Sequence, residues 1–332
     1  MNDKLYFQWH ITDACNFRCR HCYQDNFTKD SEVGLGDLIK VYNNIASSAG
    51  DKKVVINLTG GEPFLRADFF DLLTYLDRQE KTEELAVITN GSLISEGLIR
   101  KLGAVGKLKQ VKVSLDGATE KTNDLIRRPG SFRAVCENIN LLREKTDLEV
   151  IVMLTVMRSN SYELPALFQL CRDLKVGGLI IERFIPLGQS RGLKAEVIGK
   201  DEWRRVAGDI FEFLELWQEI NDVLACKAFW IKFKDDGAEL LGAECNLGED
   251  SFAIMPNADL FPCRRFGLKI GNLLRENFSD IVKKSAVLKD VTDKSKLKGK
   301  CGSCHLENCR GCRALAYALG KDYLAEDELC WI

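Results

Sequence analysis

The sequence predicts an α/β protein built on a parallel sheet, followed by a smaller cysteine-rich module. Three observations carry this. Six short β-branched runs alternate with amphipathic helical stretches over the first two-thirds of the chain. After Gly237 the pattern changes to short strands, turns and cysteines. The 13 cysteines are unevenly placed: three lie within Cys15–Cys22, seven within Cys245–Cys330, and Cys136, Cys171 and Cys226 stand apart. A length of 332 residues fits one large domain with an appendage.

The predicted strands are Leu5–Trp9, Val54–Leu58, Leu85–Thr89, Gln110–Leu115, Glu149–Val156 and Gly178–Arg183. Between them lie predicted helices at Gly36–Ala49, Ala67–Gln79, Ser95–Leu102, Phe132–Arg143 and Leu164–Leu174. The first helix shows the rule most plainly: Leu38, Val41, Tyr42 and Ile45 recur at helical spacing, and Gly50 follows as a C-terminal cap. Helical sequence resumes from Lys200 to about Trp217. Six βα repeats fit a partial barrel or a doubly wound sheet, and both place chemistry at the carboxyl ends of the strands. The domain boundary is expected in Asn221–Glu244, giving a core at 1–220, a bridging region at 221–244 and a cysteine-rich domain at 245–332. The lysine-rich Lys289–Lys300 stretch reads as a solvated connector, and Cys136 and Cys171 as small buried residues within helices.

Composition narrows the function. The 47 basic and 49 acidic residues leave a net charge of -2, without the basic excess of a nucleic-acid binder. The longest apolar run, near Val150–Met157, is far short of the ~18 residues that span a bilayer, so no membrane partner is expected. The start, Met1-Asn2-Asp3-Lys4, lacks the apolar core of a signal peptide, which places the chain in the cytoplasm. There a disulfide framework is disfavoured, and clustered thiols point to metal or catalysis.

The first cysteine group directly follows the first strand, as Cys15-x3-Cys19-x2-Cys22. Three thiolates on one loop can hold a 4Fe–4S cluster and leave one iron open, since such clusters normally take four cysteines. An open position separates a catalytic metal site from a structural one. The competing reading is a zinc site completed by His10 or His21. After the second strand comes Gly60-Gly61-Glu62-Pro63, where glycines let the backbone approach a ligand and Glu62 can receive an ammonium group.

Together these motifs resemble the radical S-adenosylmethionine (SAM) superfamily, over roughly Leu5 to Arg183. The resemblance implies a partial (β/α)6 barrel, with SAM chelating the open iron through its amine and carboxylate. Reductive cleavage of SAM would give a 5′-deoxyadenosyl radical that takes a hydrogen atom from a substrate. It implies that Gly60, Gly61 and Glu62 meet the SAM amine, that His21 packs near the adenine, and that Ser114 and Asp116 belong to a SAM-contacting segment. Arg127 matches an arginine on the SAM carboxylate, a group that a guanidinium fork suits; a surface arginine beside Arg128 is the alternative. Thr155 is placed to meet the ribose, or is a half-buried strand threonine. Arg183, at the end of strand six, is a further SAM-facing candidate.

The second group reads Cys301-x2-Cys304-x4-Cys309-x2-Cys312, with Cys245, Cys263 and Cys330 around it. Two C-x2-C pairs alone suggest a zinc ribbon, which leaves three cysteines without a role. The seven-cysteine pattern resembles the SPASM extension of radical SAM enzymes, a small C-terminal cysteine-rich α+β domain holding one or two auxiliary 4Fe–4S clusters. By that resemblance Cys301, Cys304, Cys309 and Cys330 hold a distal cluster, and Cys245, Cys263 and Cys312 a proximal one. Cys226 is a candidate fourth proximal ligand, or the fourth position is open. Arg264 follows Cys263 where sulfatase-maturing relatives carry a catalytic Asp, which argues against that activity.

The function expected first is radical modification of a ribosomally made peptide: crosslinking, epimerisation or decarboxylation. The peptide would come with a separate recognition protein, and electrons from a reductant such as flavodoxin or ferredoxin. The alternative is a small-molecule enzyme such as one trimming tetrapyrrole side chains for haem; the remote alternative is a zinc-stabilised binding module.

Overall fold

The structure is a computed structural model and describes residues 3–216, 228–235, 237–241, 245–306 and 309–332. In the barrel part the order is β1 (Lys4–Thr12), α1 (Leu35–Ser48), β2 (Lys53–Gly60), α2 (Phe69–Asp77), β3 (Thr82–Thr89), α3 (Glu96–Gly103), β4 (Leu108–Ser114), α4 (Glu120–Ile126), α5 (Ser131–Lys145), β5 (Glu149–Val156), α6 (Leu164–Asp173), β6 (Gly178–Arg183) and α7 (Lys200–Phe213). β1 to β6 pair in sequence order, all parallel, giving the six-stranded partial barrel. β5 and β6 match the predicted strands at both ends. α4 was not expected. It is a short helix whose N-cap Thr119 accepts a hydrogen bond from Thr122 N, and seven residues show too little periodicity to be read from sequence.

α1 shows how the core is made. Leu38, Val41, Tyr42 and Ile45 are all buried on one face, and α2, whose Phe69, Leu72, Leu73 and Leu76 are buried, packs beside that helix with Tyr75 edge-on to Tyr42. Cys171 is buried within α6, while Cys136 on α5 is only half-buried.

The strands after the barrel do not form a separate sheet. β7 (Phe229–Lys234) and β8 (Gly237–Leu240) continue from β6 in antiparallel fashion. β9 (Ser251–Ile254) pairs in parallel with β1 and carries antiparallel β10 (Asp259–Phe261) and β11 (Gly271–Asn272). Both open edges of the barrel sheet are thereby covered, which removes unpaired edge backbone. Part of the expected bridging region, including Cys226, lies outside the described residues.

The remainder is α8 (Phe278–Lys284), α9 (Ala286–Thr292), α10 (Gly299–Ser303) and α11 (Arg313–Gly320). The lysine-rich stretch is not a solvated connector. Val291 and Leu297 are buried in it, and Lys294 Nζ donates to the carbonyls of Cys304 and Leu306, each at 2.7 Å. The lysines were read by charge alone, whereas here a long side chain fastens a cysteine-bearing loop.

Candidate active site

The carboxyl ends of β1 to β6 converge on one open cavity of about 1060 Å³. Cys15, Cys19 and Cys22 all line it, on the loop that leaves β1. That loop is tied at several points. Arg20 N donates to Ile126 O at 2.8 Å. Gln189 Nε2 donates to Cys19 O at 2.7 Å, and Ser190 N to Cys22 O at 3.2 Å. Gly188 permits this approach: its φ is +61°, and a Cβ there would lie 2.2 Å from Tyr23 O. Burial pushes all three thiols up, Cys19 to about 12. They are neutral thiols until a metal takes their protons.

Gly60 and Gly61 line the same cavity, but their close neighbour is the chain itself. Gly61 N donates to Thr12 O at 2.8 Å, and Glu62 N to Ala14 O at 2.8 Å. A Cβ on Gly61 would lie 2.2 Å from Ala14 O, and one on Gly60 2.2 Å from Thr12 O. The glycines therefore bring the end of β2 against the backbone just before Cys15. Gly61→Ala is expected to push that backbone away. Overpacking of this kind costs about 1–3 kcal/mol, and the iron at the first cysteine group should fall while C-terminal iron is kept. Iron analysis of the variant, alone and with the first three cysteines removed, checks this.

Glu62, expected to receive an ammonium group, is fully buried. Its carboxylate accepts from Thr89 Oγ1 (2.8 and 3.0 Å), Asn90 N (2.9 Å) and Phe64 N (3.3 Å). Burial raises its pKa to about 7 despite these donors. In this arrangement Glu62 fastens the glycine loop to the end of β3. Asn90 was missed in the sequence. Its Nδ2 donates to Asn16 Oδ1 at 2.9 Å and approaches Cys15 Sγ at 3.9 Å. The available signal was the polar Thr89-Asn90-Gly91 run at a strand's carboxyl end.

Asp116 is buried behind the cavity wall, where Oδ2 meets His21 Nε2 and Arg127 Nε, each at 2.7 Å. Oδ1 accepts from Thr155 N at 2.9 Å. Burial alone would raise the Asp116 pKa, but the Arg127 and His21 charges and these bonds outweigh it and hold the carboxyl well below its usual range. Asp116 thus aims His21 and Arg127, which line the cavity with Ser114 and Thr155. Arg127 sits at the C-cap of α4, the helix that sequence reading missed.

Arg183 lines the cavity too, but its guanidinium grips Asp327, with Nη1–Oδ1 at 3.2 Å and Nη2–Oδ2 at 3.0 Å. Asp327 also accepts from Cys312 N at 2.8 Å and donates its own N–H to Cys301 Sγ at 3.4 Å. One buried residue thus joins the end of β6 to two C-terminal cysteines, through its carboxylate at Cys312 and its backbone N–H at Cys301.

A second cavity, of about 1010 Å³, is lined by Cys245, Cys263 and Cys312. It shares with the first a wall of Gln8, Glu182, Arg183, Ile185, Arg264 and Arg265. Away from it, Cys301, Cys309 and Cys330 are buried, and burial, with a smaller contribution from nearby Cys301, pushes the Cys330 thiol up. Cys304 is half-buried at the end of α10. Arg313 Nη2 approaches Cys301 Sγ at 3.6 Å. Among the described residues no three Cys, His, Asp or Glu side chains come within reach of a single metal ion. Completion of a one-zinc site by His10 or His21 is not the arrangement seen, and His21 Nε2 is held by Asp116. Three thiols around each of two cavities suit clusters, whose ligands stand further apart than those of one ion.

The radical SAM superfamily model matches residues 9–171, and that of the SPASM iron–sulfur cluster-binding domain matches residues 245–313. The chain belongs to the radical SAM superfamily. Its C-terminal part is a SPASM domain, and its cofactors are SAM and 4Fe–4S clusters. The radical SAM chain is 28% identical to an AdoMet-dependent heme synthase of Methanosarcina barkeri, over 97% of this chain and 95% of that protein. It is 26% identical to the antilisterial bacteriocin subtilosin biosynthesis protein AlbA of Bacillus subtilis, over 91% of this chain and 67% of that protein. Its fold matches Streptococcus suis SuiB bound to precursor peptide SuiA, with a TM-score of 0.73 at 16% identity, covering 99% of this chain and 76% of that one. Among the described residues no helix is long and apolar enough to cross a membrane.

Proposed function

We propose that this radical SAM chain takes a hydrogen atom from a carboxylate-bearing substrate, with a tetrapyrrole side chain as the first substrate class. The observation that carries the reading is the wall shared by the two cysteine-lined cavities, which carries three arginines and one carboxylate. A substrate on that wall lies between the SAM loop and the SPASM cysteines. Full-length similarity to a heme synthase supports a tetrapyrrole. A peptide substrate is the second reading, favoured by the similarity to the subtilosin biosynthesis protein. The sequence alone put the peptide first.

In this reading Cys15, Cys19 and Cys22 hold the SAM-binding cluster, and Gly60, Gly61, His21, Ser114, Arg127 and Thr155 surround SAM. Cys245, Cys263 and Cys312 hold the proximal auxiliary cluster, and Cys301, Cys304, Cys309 and Cys330 the distal one. When bound, SAM and its cluster supply a radical able to break an unactivated C–H bond. The chain's own contribution is to hold the cysteine loop, aim Arg127 and His21 through Asp116, and position the substrate against that loop.

The test is turnover under anaerobic conditions. Reconstituted enzyme given SAM, dithionite and iron–coproporphyrin III is expected to release 5′-deoxyadenosine and a decarboxylated porphyrin, read by mass spectrometry. Porphyrin recovered unchanged, with 5′-deoxyadenosine still formed, counts against the tetrapyrrole. A modified precursor peptide under the same conditions supports the second reading.

A further inference from the structure

Four guanidiniums line the SAM cavity, and three of them have a carboxylate. Arg127 meets Asp116 at 2.7 Å, Arg183 meets Asp327 at 3.0 Å and Arg265 meets Glu182 at 2.6 Å. Arg264 is the fourth. Among the described residues it has no ion-pair partner, and its enclosed Nε has no hydrogen-bond acceptor. A charge in such a place is costly unless a counter-charge reaches it.

Its position is fixed. The guanidinium stacks 4.4 Å over the ring of Tyr23, the residue after Cys22. Stacking uses the face of the guanidinium and leaves its terminal Nη groups for a planar, bidentate acceptor. Arg264 lies on the wall between the two cavities, so an acceptor there sits between the SAM loop and the SPASM cysteines.

We propose that Arg264 is the receptor for a substrate carboxylate and so a specificity-determining residue. The proposal rests on the radical SAM reading of this cavity and adds to it the residue that selects an acidic substrate. Two other roles compete with it. Arg264 could take the carboxylate of SAM itself, or it could balance the negative charge of thiolates at Cys22 and Cys263.

The experiment uses reconstituted enzyme with SAM present, and compares the original protein with Arg264→Gln and Arg264→Lys. Three probes are titrated anaerobically: iron–coproporphyrin III, its tetramethyl ester and 3-phenylpropionate. The original protein should bind the acids roughly tenfold or more tighter than the ester, the scale of one charge-assisted pair. Arg264→Gln should bring acid affinity down to that of the ester and leave the ester unchanged. Arg264→Lys should recover part of the difference. SAM affinity and iron content should be the same in all three proteins.

Equal weakening of acids and ester, or no change in either, overturns the proposal. A fall in SAM affinity assigns Arg264 to SAM, and a loss of iron in Arg264→Gln, restored in Arg264→Lys, assigns it to charge balance; both overturn the proposal. If only 3-phenylpropionate binds, and binding needs Arg264, the tetrapyrrole reading fails while the carboxylate receptor stands. If the original protein binds neither acid, the receptor itself is refuted.

Discussion

Replacing Cys15, Cys19 and Cys22 together by Ala is expected to abolish formation of 5′-deoxyadenosine from SAM by the reduced enzyme. All three thiols line the one cavity at the barrel mouth, and among the described residues the other cysteines line a different cavity or stand apart from both. The C-terminal cysteines should therefore keep their iron. About eight irons should remain if both auxiliary sites hold four-iron clusters, and about four if one does. Iron and sulfide analysis beside chromatography of the SAM products measures both effects. SAM cleavage surviving in the triple variant would disprove the assignment of these thiols. Zinc in place of iron at the C-terminal cysteines would restore the ribbon reading of Cys301–Cys312.

Asp327→Ala should give the largest loss of stability. Asp327 and Arg183 are both buried and meet through two N–O contacts. Removing the carboxylate leaves a buried guanidinium unpaired, a change that typically costs about 3–5 kcal/mol. The same carboxylate also loses Cys312 N and Leu329 N as donors. Unfolding in denaturant, followed anaerobically, should show a large fall in midpoint for Asp327→Ala. The fall should be smaller for Asp327→Asn, which keeps one carbonyl acceptor. C-terminal iron should drop in parallel, because the Asp327 carboxylate orders the backbone at Cys312. An Asp327→Ala protein as stable as the original would mean that the barrel and the SPASM domain are held elsewhere, for example by β9 on β1.

Much of the site was legible because cluster ligands sit close together in the chain. Cys15, Cys19 and Cys22 occupy one short loop after a strand, so spacing alone indicates a shared metal. The grouping of Cys245, Cys263 and Cys312 was accessible only through resemblance, because 67 residues separate its ends, and the shared cavity depends on how β9 and β10 add to the sheet. Arg264 was noted in the sequence only for what it replaces. Its stacking on Tyr23 joins residues from opposite ends of the chain, which no local pattern records.

The sequence by itself determined the order of the six barrel strands and of the helices between them apart from α4, the two cysteine groups and the loop that carries the first. These follow from side-chain periodicity and ligand spacing, which are properties of neighbouring residues. The tertiary structure decided what the glycines and carboxylates are for. Gly60 and Gly61 meet the backbone before Cys15, Glu62 fastens β3, and Asp327 grips Arg183. Each outcome depends on a partner distant in sequence. Burial makes the choice of partner decisive, because an enclosed polar group must be paired by whatever the fold brings to it.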